Sequence, residues 1–320
     1  NNLFCYIMME SENRMPRRTA LKRMGMAVAE ALAASTGLLS LTSCADNNLK
    51  RIILYFTATG NCLYVARQLV GKNGEILSIP QLMKRDDIEI EADEIGIVYP
   101  IYGHMPPNMV RQFINKARLK ADYKFAVLTY GNRKCNAVEL WDDISARAGA
   151  NFDYINTLIM VDNWLPNFDM NEQILIDKHI PENLEKISAD IAAHKHWHEP
   201  VTEEERQQHQ GFINFTGIDP ETGFTMRSEK YFTVTDACIS CGACVAVCPK
   251  GNYKMTSQGV NTEGSCEFCF ACIQNCPQKA IRFAKNDDDP LLRNGEKNPD
   301  ARYRNEHISL MDIKRANNQF

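Results

Sequence analysis

The residues most able to do chemistry in this chain are cysteines. There are twelve among 320 residues. Eight of them fall in two runs. The first is Cys238-Ile239-Ser240-Cys241-Gly242-Ala243-Cys244-Val245-Ala246-Val247-Cys248-Pro249, and the second is Cys266-Glu267-Phe268-Cys269-Phe270-Ala271-Cys272-Ile273-Gln274-Asn275-Cys276-Pro277. Both have the spacing C-x2-C-x2-C-x3-C-P. Thiolates are soft ligands suited to iron and sulfide. Three so closely spaced can wrap three irons of one cubane, leaving the fourth iron to a ligand from elsewhere. The proline then turns the chain away. Zinc ribbons use pairs of cysteines rather than runs of four with a trailing proline. Disulfides among so many adjacent cysteines would have poor geometry. The spacing therefore predicts two [4Fe-4S] clusters.

The pattern resembles that of bacterial dicluster ferredoxins, in which the last cysteine of each run ligates the other cluster. The resemblance implies one cluster on Cys238, Cys241, Cys244 and Cys276, and the other on Cys266, Cys269, Cys272 and Cys248. The internal repeat reads as the pseudo-twofold of a small α+β ferredoxin domain over residues 233–285. Its clusters would replace a core that about fifty residues could barely build.

A second candidate site lies upstream. The apolar run Ile52-Ile53-Leu54-Tyr55-Phe56 has strand character and ends in Thr57-Ala58-Thr59-Gly60-Asn61-Cys62. From Asn61 the pattern turns helical, with Leu63, Ala66, Leu69 and Val70 three or four apart. Free N–H groups and the dipole at such a helix start favour an anion, and Gly60 permits close approach. Further apolar runs occupy residues 75–79, 95–99, 125–130 and 154–161. Helical patterns lie at 107–117 and 135–148, and a last helix is expected from about 171 to about 194. Strands alternating with helices predict an α/β domain over residues 50–198, a doubly wound parallel sheet of five strands. Ligands bind such sheets at the carboxyl ends of the strands. Two other loops share that edge, Pro100-Ile101-Tyr102-Gly103-His104-Met105-Pro106-Pro107 and Thr129-Tyr130-Gly131-Asn132. A phosphate cradle beside two aromatic residues suits a flat phosphorylated ligand.

Thr57-Ala58-Thr59-Gly60-Asn61 resembles the phosphate loop of flavodoxins, which reads Thr/Ser-x-Thr-Gly-Asn-Thr/Ser. Cys62 stands where that loop has a hydroxyl. A thiol is a weak donor, so one phosphate hydrogen bond is expected to be lost while the backbone donors remain. The resemblance implies FMN, with Tyr102 and Tyr130 flanking its ring system. The other reading is a flavodoxin-like domain without flavin, its loop serving as a helix cap. Trp164, in Asn163-Trp164-Leu165-Pro166, follows the fifth strand and either covers the site or is an ordinary loop aromatic.

Residues 1–44 read as an export signal. Arg17-Arg18, with Leu21 and Lys22 following, resembles a twin-arginine motif, although Ala20 replaces its bulky phenylalanine. Glu30 interrupts the apolar run, so a membrane span is not expected there. Leu41-Thr42-Ser43-Cys44 resembles a lipobox, which implies lipidation of Cys44 and membrane association on the exported side. The bland alternative is an amphipathic helix with a chance arginine pair, in a cytoplasmic protein. The chain opens on Asn1, and the initiator is expected at Met8, Met9 or Met15. Residues 199–232 read as a connector or insertion. In the tail, 286–320, Tyr303, Ile308 and Leu310 offer apolar area for packing back. Cys135 reads as a small buried residue rather than a redox thiol. His194, His196 and His198 read as a solvated helix end. The composition is 44% hydrophobic and 24% charged, an ordinary globular balance that excludes collagenous or wholly disordered chains. A net charge of −4 gives no general basic surface for nucleic acid.

From about Arg51 onward, including the tail Arg302-Tyr303-Arg304-Asn305-Glu306-His307-Ile308-Ser309-Leu310, the order of parts resembles a family of bacterial flavodoxin–ferredoxin fusion proteins. That resemblance implies electron transfer among two clusters, an FMN and a redox partner protein, and fixes no substrate. No catalytic acid, base or nucleophile is identifiable in the sequence. An enzymatic role would be that of a flavin-dependent oxidoreductase whose substrate approaches Tyr102 and Tyr130. The alternative is a non-catalytic iron–sulfur subunit whose flavodoxin-like domain only docks.

Overall fold

Ile53 and Leu54 are fully buried and Ile52 is 4% exposed. Apolar residues in succession, without polar alternation, mark a strand covered on both faces. That strand, β1 (Arg51–Tyr55), lies inside a parallel sheet with β2 (Glu75–Ser78), β3 (Glu94–Pro100), β4 (Tyr123–Tyr130), β5 (Tyr154–Ile159) and β6 (Trp197–His198). The order across the sheet is β2-β1-β3-β4-β5-β6, all parallel. The first five follow the flavodoxin-like doubly wound order, whose switch point lies between β1 and β3. The helices α1 (Asn61–Leu69), α2 (Asn108–Lys116), α3 (Ala137–Arg147) and α4 (Ile180–Ala192) connect them. The structure is a computed structural model that describes residues 49–223, 226–257, 259–262, 264–284 and 295–320. The arginine pair Arg17-Arg18 and Cys44 lie outside the described residues.

Three expectations are corrected. The sheet has six strands, not five, because Trp197 and His198 pair with Tyr154 and Ile155. His194 and His196 stand exposed just past the end of the last helix, as expected, whereas His198 belongs to β6. His194 leaves the helix in the left-handed conformation and bonds the buried carboxylate of Glu94, which also holds Arg51. Its ring stacks on Tyr123 at 4.7 Å. His198 in β6 approaches the carbonyl of Phe152 at 2.9 Å. The helix expected from 171 to 194 is also split, into Met170–Gln173 and α4. His179 at φ 49° and Pro181 in the first turn mark the restart.

Residues 199–232 contain a full helix, α5 (Glu203–Thr216). Thr202 and Glu205 form a capping box at its start, and Gly217 in the left-handed region ends it. Lys134 bridges Glu199 and Glu205 at 3.0 and 3.1 Å, tying this segment to the loop after β4. The cysteine-rich part is built from short pieces. Phe232–Val234 pairs antiparallel with Ile281–Phe283, and Tyr253–Thr256 with Gly259–Thr262. The helix α6 (Ala243–Val247) and its repeat equivalent Ala271–Gln274 carry the third cysteine of each run. The tail ends in α7 (Leu310–Asn317). Val247, Cys269, Ala271, Ile308, Ile313 and Ala316 share one hydrophobic core with the sheet. Among the described residues no helix is long and apolar enough to cross a membrane.

Gly96 in β3 reports how tightly the sheet is covered. A Cβ there would stand 2.4 Å from the ring of Phe125 on the next strand. Gly96→Ala is expected to lower stability by about 1–3 kcal/mol through overpacking. Chemical denaturation measures this, and an unchanged midpoint would contradict the packing described.

Candidate functional site

The three predicted loops meet around one cavity of about 330 Å³. That lies within the usual ~300–1,000 Å³ of small-molecule sites. Its walls include Thr57, Ala58, Thr59, Asn61 and Cys62 from the first loop, Pro100, Ile101, Tyr102 and Gly103 from the second, and Tyr130, Gly131 and Asn132 from the third. Gly60 of the first loop faces elsewhere. It sits at φ 101°, and a Cβ there would stand 2.9 Å from the Cβ of Ile308. This glycine therefore serves both the turn and the close approach of the tail.

The loop fits an anionic ligand. α1 begins without any side-chain cap, so its first N–H groups are left to another partner. The Thr57 hydroxyl, the Tyr102 hydroxyl and Nδ1 of His104 are buried without a protein partner. Such atoms cost roughly 1–3 kcal/mol each when left unpaired, and all three residues line the cavity. Asn163 donates to the Thr59 hydroxyl at 3.0 Å. Cys62 turns instead to the end of β4, its sulfur 3.2 Å from the Thr129 hydroxyl. Burial pushes its thiol up to about 12, so it stays protonated. Trp164 lines the cavity and packs on Phe268 at 5.7 Å and Phe270 at 5.4 Å.

Several lining residues carried no sequence signal. Phe212 and Phe215 arrive on α5, from the polar stretch read as a connector. His104, which belongs to the second predicted loop, is 5% exposed and packs against Phe212 at 4.7 Å. Burial, with His209 beside it, lowers its pKa to about 4, so its imidazole is neutral. Asp162, beyond β5, is raised above the ordinary carboxylate value by burial and accepts the Trp164 N–H at 2.9 Å. Cys135 is buried near Gln208, away from these walls.

The eight cysteines form two crossed sets. Cys238, Cys241, Cys244 and Cys276 line one small space together. Cys248 stands among Cys266, Cys269 and Cys272, close enough to act on each electrostatically. The last cysteine of each run therefore faces the other run. Among the described residues no three His, Cys, Asp or Glu side chains suit a single ion. A cubane differs, because each thiolate meets its own iron at a separate corner. The backbone repeats with the sequence. Ser240 and Phe268 occupy equivalent left-handed positions, as do Gly242 and Phe270. Phenylalanine in that region costs on the order of 1–3 kcal/mol, which chelation by a cluster can offset. N–H groups reach the sulfurs of Cys248, Cys266 and Cys276 at 3.2, 3.2 and 3.3 Å. Such bonds favour thiolate and tune a cluster. Burial, and then the neighbouring cysteines, raise Cys269 and Cys272 well above the ordinary thiol value; Cys244 and Cys266 rise to about 12. These groups will ionise only with cationic iron to receive them.

The two sites share a wall. Cys269, with Phe268 and Phe270 on either side, lines the cavity of the three loops. Glu267, between Cys266 and Phe268, accepts N–H groups at the start of α2 and lies 3.8 Å from Lys250. The other set faces outward, with Cys241 exposed and Ile239 63% exposed.

Residues 230–287 match the family model of the 4Fe-4S dicluster domain. A ferredoxin of Pyrobaculum islandicum is 44% identical over 51 residues, which are 15% of this chain and 48% of that protein. The chain thus spans about half the length of the curated relative it matches. Among solved structures, the flavodoxin of Streptococcus pneumonia TIGR4 aligns over 45% of this chain and 98% of its own, at 15% identity and a TM-score of 0.30. A flavoprotein in complex with FMN from Lactobacillus acidophilus NCFM aligns over 34% and 93%, at 16% identity and a TM-score of 0.25. The fold itself is read from the strand order of this chain.

Two measurements check these sites. Cys276→Ser is expected to disturb the cluster of Cys238, Cys241 and Cys244, far upstream of it, and to leave the second intact. Electron paramagnetic resonance of the reduced protein should then lose one of two cluster signals; loss of the second run's signal instead would contradict the crossing. The pH dependence of stability reports His104. Its native pKa, about 4, lies below the ordinary 6.5, so the unfolded chain takes up the proton first. Stability should fall as pH drops through that window, by an order of magnitude of 3 kcal/mol in total. His104→Asn, which keeps a residue tolerant of positive φ, should flatten that part of the profile.

Proposed function

From the premise of a flavodoxin-like domain joined to a 4Fe-4S dicluster domain, an electron-transfer chain, we propose that this protein passes electrons between a protein partner and an FMN by way of two clusters. The observation that carries the reading is the shared wall, where Cys269 lines the same cavity as Thr57–Cys62.

Thr57, Thr59 and the N–H groups at the start of α1 would hold the phosphate. Tyr102 and Tyr130 would bound the ring system, and Trp164 with Phe268 and Phe270 would exclude water between it and Cys269. Cys266, Cys269, Cys272 and Cys248 would hold the inner cluster. Cys238, Cys241, Cys244 and Cys276 would hold the outer one, whose exposed Cys241 and Ile239 give a partner protein its closest approach. FMN exchanges electrons singly or in pairs whereas a cubane carries one, so the pairing would join one-electron donors to two-electron chemistry. The proposal includes export through a twin-arginine signal and a lipid anchor at Cys44. Its support is the Arg17-Arg18 pair and Leu41-Thr42-Ser43-Cys44.

Anaerobic purification followed by cofactor analysis tests the reading. The expected result is about eight irons and one FMN per chain. Thr57→Val should weaken FMN about tenfold or more while iron stays unchanged, as loss of a hydrogen bond to a charged group predicts. Iron without extractable FMN would leave the flavodoxin-like domain as a docking element and overturn the proposal.

A further inference from the structure

The phosphate loop is held from behind. Its three consecutive carbonyls, at Thr57, Ala58 and Thr59, each accept a bond from the other half of the molecule. Asn317 Nδ2 donates to the Thr57 oxygen at 2.8 Å, Asn275 Nδ2 to the Ala58 oxygen at 3.2 Å, and the Asn305 N–H to the Thr59 oxygen at 2.8 Å. In a trans peptide the C=O of one residue and the N–H of the next point in opposite directions. Holding the Thr57 and Ala58 oxygens on the far side therefore turns the N–H groups of Ala58 and Thr59 toward the cavity, which both residues line. The Asn61 side chain is fixed in the same way, its oxygen accepting from the Tyr303 hydroxyl at 2.6 Å and from Asn305 Nδ2 at 3.2 Å.

Two of these bonds lead directly to cysteines. Asn275 immediately precedes Cys276. Asn317 Nδ2 also donates to the carbonyl of Val247 at 3.1 Å, and Val247 immediately precedes Cys248. Cys276 and Cys248 are the two cysteines that cross to the opposite run. Asn275 is 3% exposed and Asn317 fully buried, so water does not compete with these bonds. Each crossing cysteine is thus one residue from a buried amide link to the phosphate loop.

We propose that Asn275 and Asn317 are positioning residues that couple cluster assembly to flavin binding. Drawing Cys276 and Cys248 onto their clusters fixes Asn275 and Val247, and through them the orientation of the Thr57 and Ala58 peptides. A loop so held binds the phosphate of FMN tightly; a loop released from either link binds it weakly. The coupling is reciprocal, so bound flavin also retains the clusters. This inference rests on the FMN reading above.

The test is a double-mutant cycle on the full chain, with FMN affinity read from quenching of flavin fluorescence. Asn275→Ala should weaken FMN about tenfold with iron content unchanged. Cys276→Ser should weaken it similarly, and adding Cys276→Ser to Asn275→Ala should cause little further loss, since the route is already cut. Additive losses, or FMN affinity unchanged in the single variants, would overturn the coupling. The unmodified protein supplies a second measurement that no folding defect can blur. Iron release to a chelator should slow several-fold with saturating FMN, and an equal rate with and without FMN would overturn the proposal. A native protein that binds no FMN at all is a separate result, and it would overturn the FMN reading itself.

Discussion

Eight thiols gathered between Cys238 and Cys276 constitute the constraint on which the rest of this structure depends. Burial disfavours their ionised form, and ionised they would also repel one another, which raises Cys269 and Cys272 well above the ordinary thiol value. Iron reverses that balance by giving each sulfur a cation to bind. The left-handed backbone at Phe268 and Phe270, the very short strands and the modest apolar content of this region are all tolerable on that condition. It also explains the crossing. A run whose last cysteine belongs to the other cluster cannot be folded without its twin, so the two runs form one unit.

That unit does not sit apart from the sheet. Val247, Cys269 and Ala271 share the core of the α/β domain, and Glu267 reaches the start of α2. The tail closes the arrangement from the other side. Arg302 joins Glu296 at 2.8 Å and bonds the Ile273 carbonyl; Tyr303 and Asn305 hold Asn61; Arg67 meets Asp312 at 2.7 Å. Gly60 must lack a side chain because Ile308 occupies the space. The loop that would hold a phosphate is thus shaped on one face by the cavity and on the other by the cysteine-rich half.

Much of this was legible in the sequence because the signals are local. The cysteine spacing needs only a few adjacent residues, and the buried strands announce themselves by continuous apolar runs. All three loops of the cavity could be placed because strand ends in a doubly wound sheet converge. What remained hidden was long-range. The helix α5 looked like connector because its sequence is polar, and only the fold shows Phe212 and Phe215 at the cavity. The sixth strand is two residues long, too short for any periodicity, and its His198 is held by Phe152, far away in sequence, as His194 before it is held by Glu94. Tyr303 and Ile308 suggested a tail that packs back, whereas the roles of Asn275, Asn305 and Asn317 depend on partners 217 to 260 positions away.

The central claim is that a flavin and the cluster of Cys269 face each other across one wall. A crystal structure of the anaerobically purified protein, phased on the anomalous signal of iron, tests it most directly. The expected result is two iron sites, the inner one bound by Cys248, Cys266, Cys269 and Cys272 and adjoining an FMN whose phosphate lies on Thr57–Cys62. Iron at those cysteines with the cavity filled by protein side chains, or with FMN bound on another surface, would contradict it.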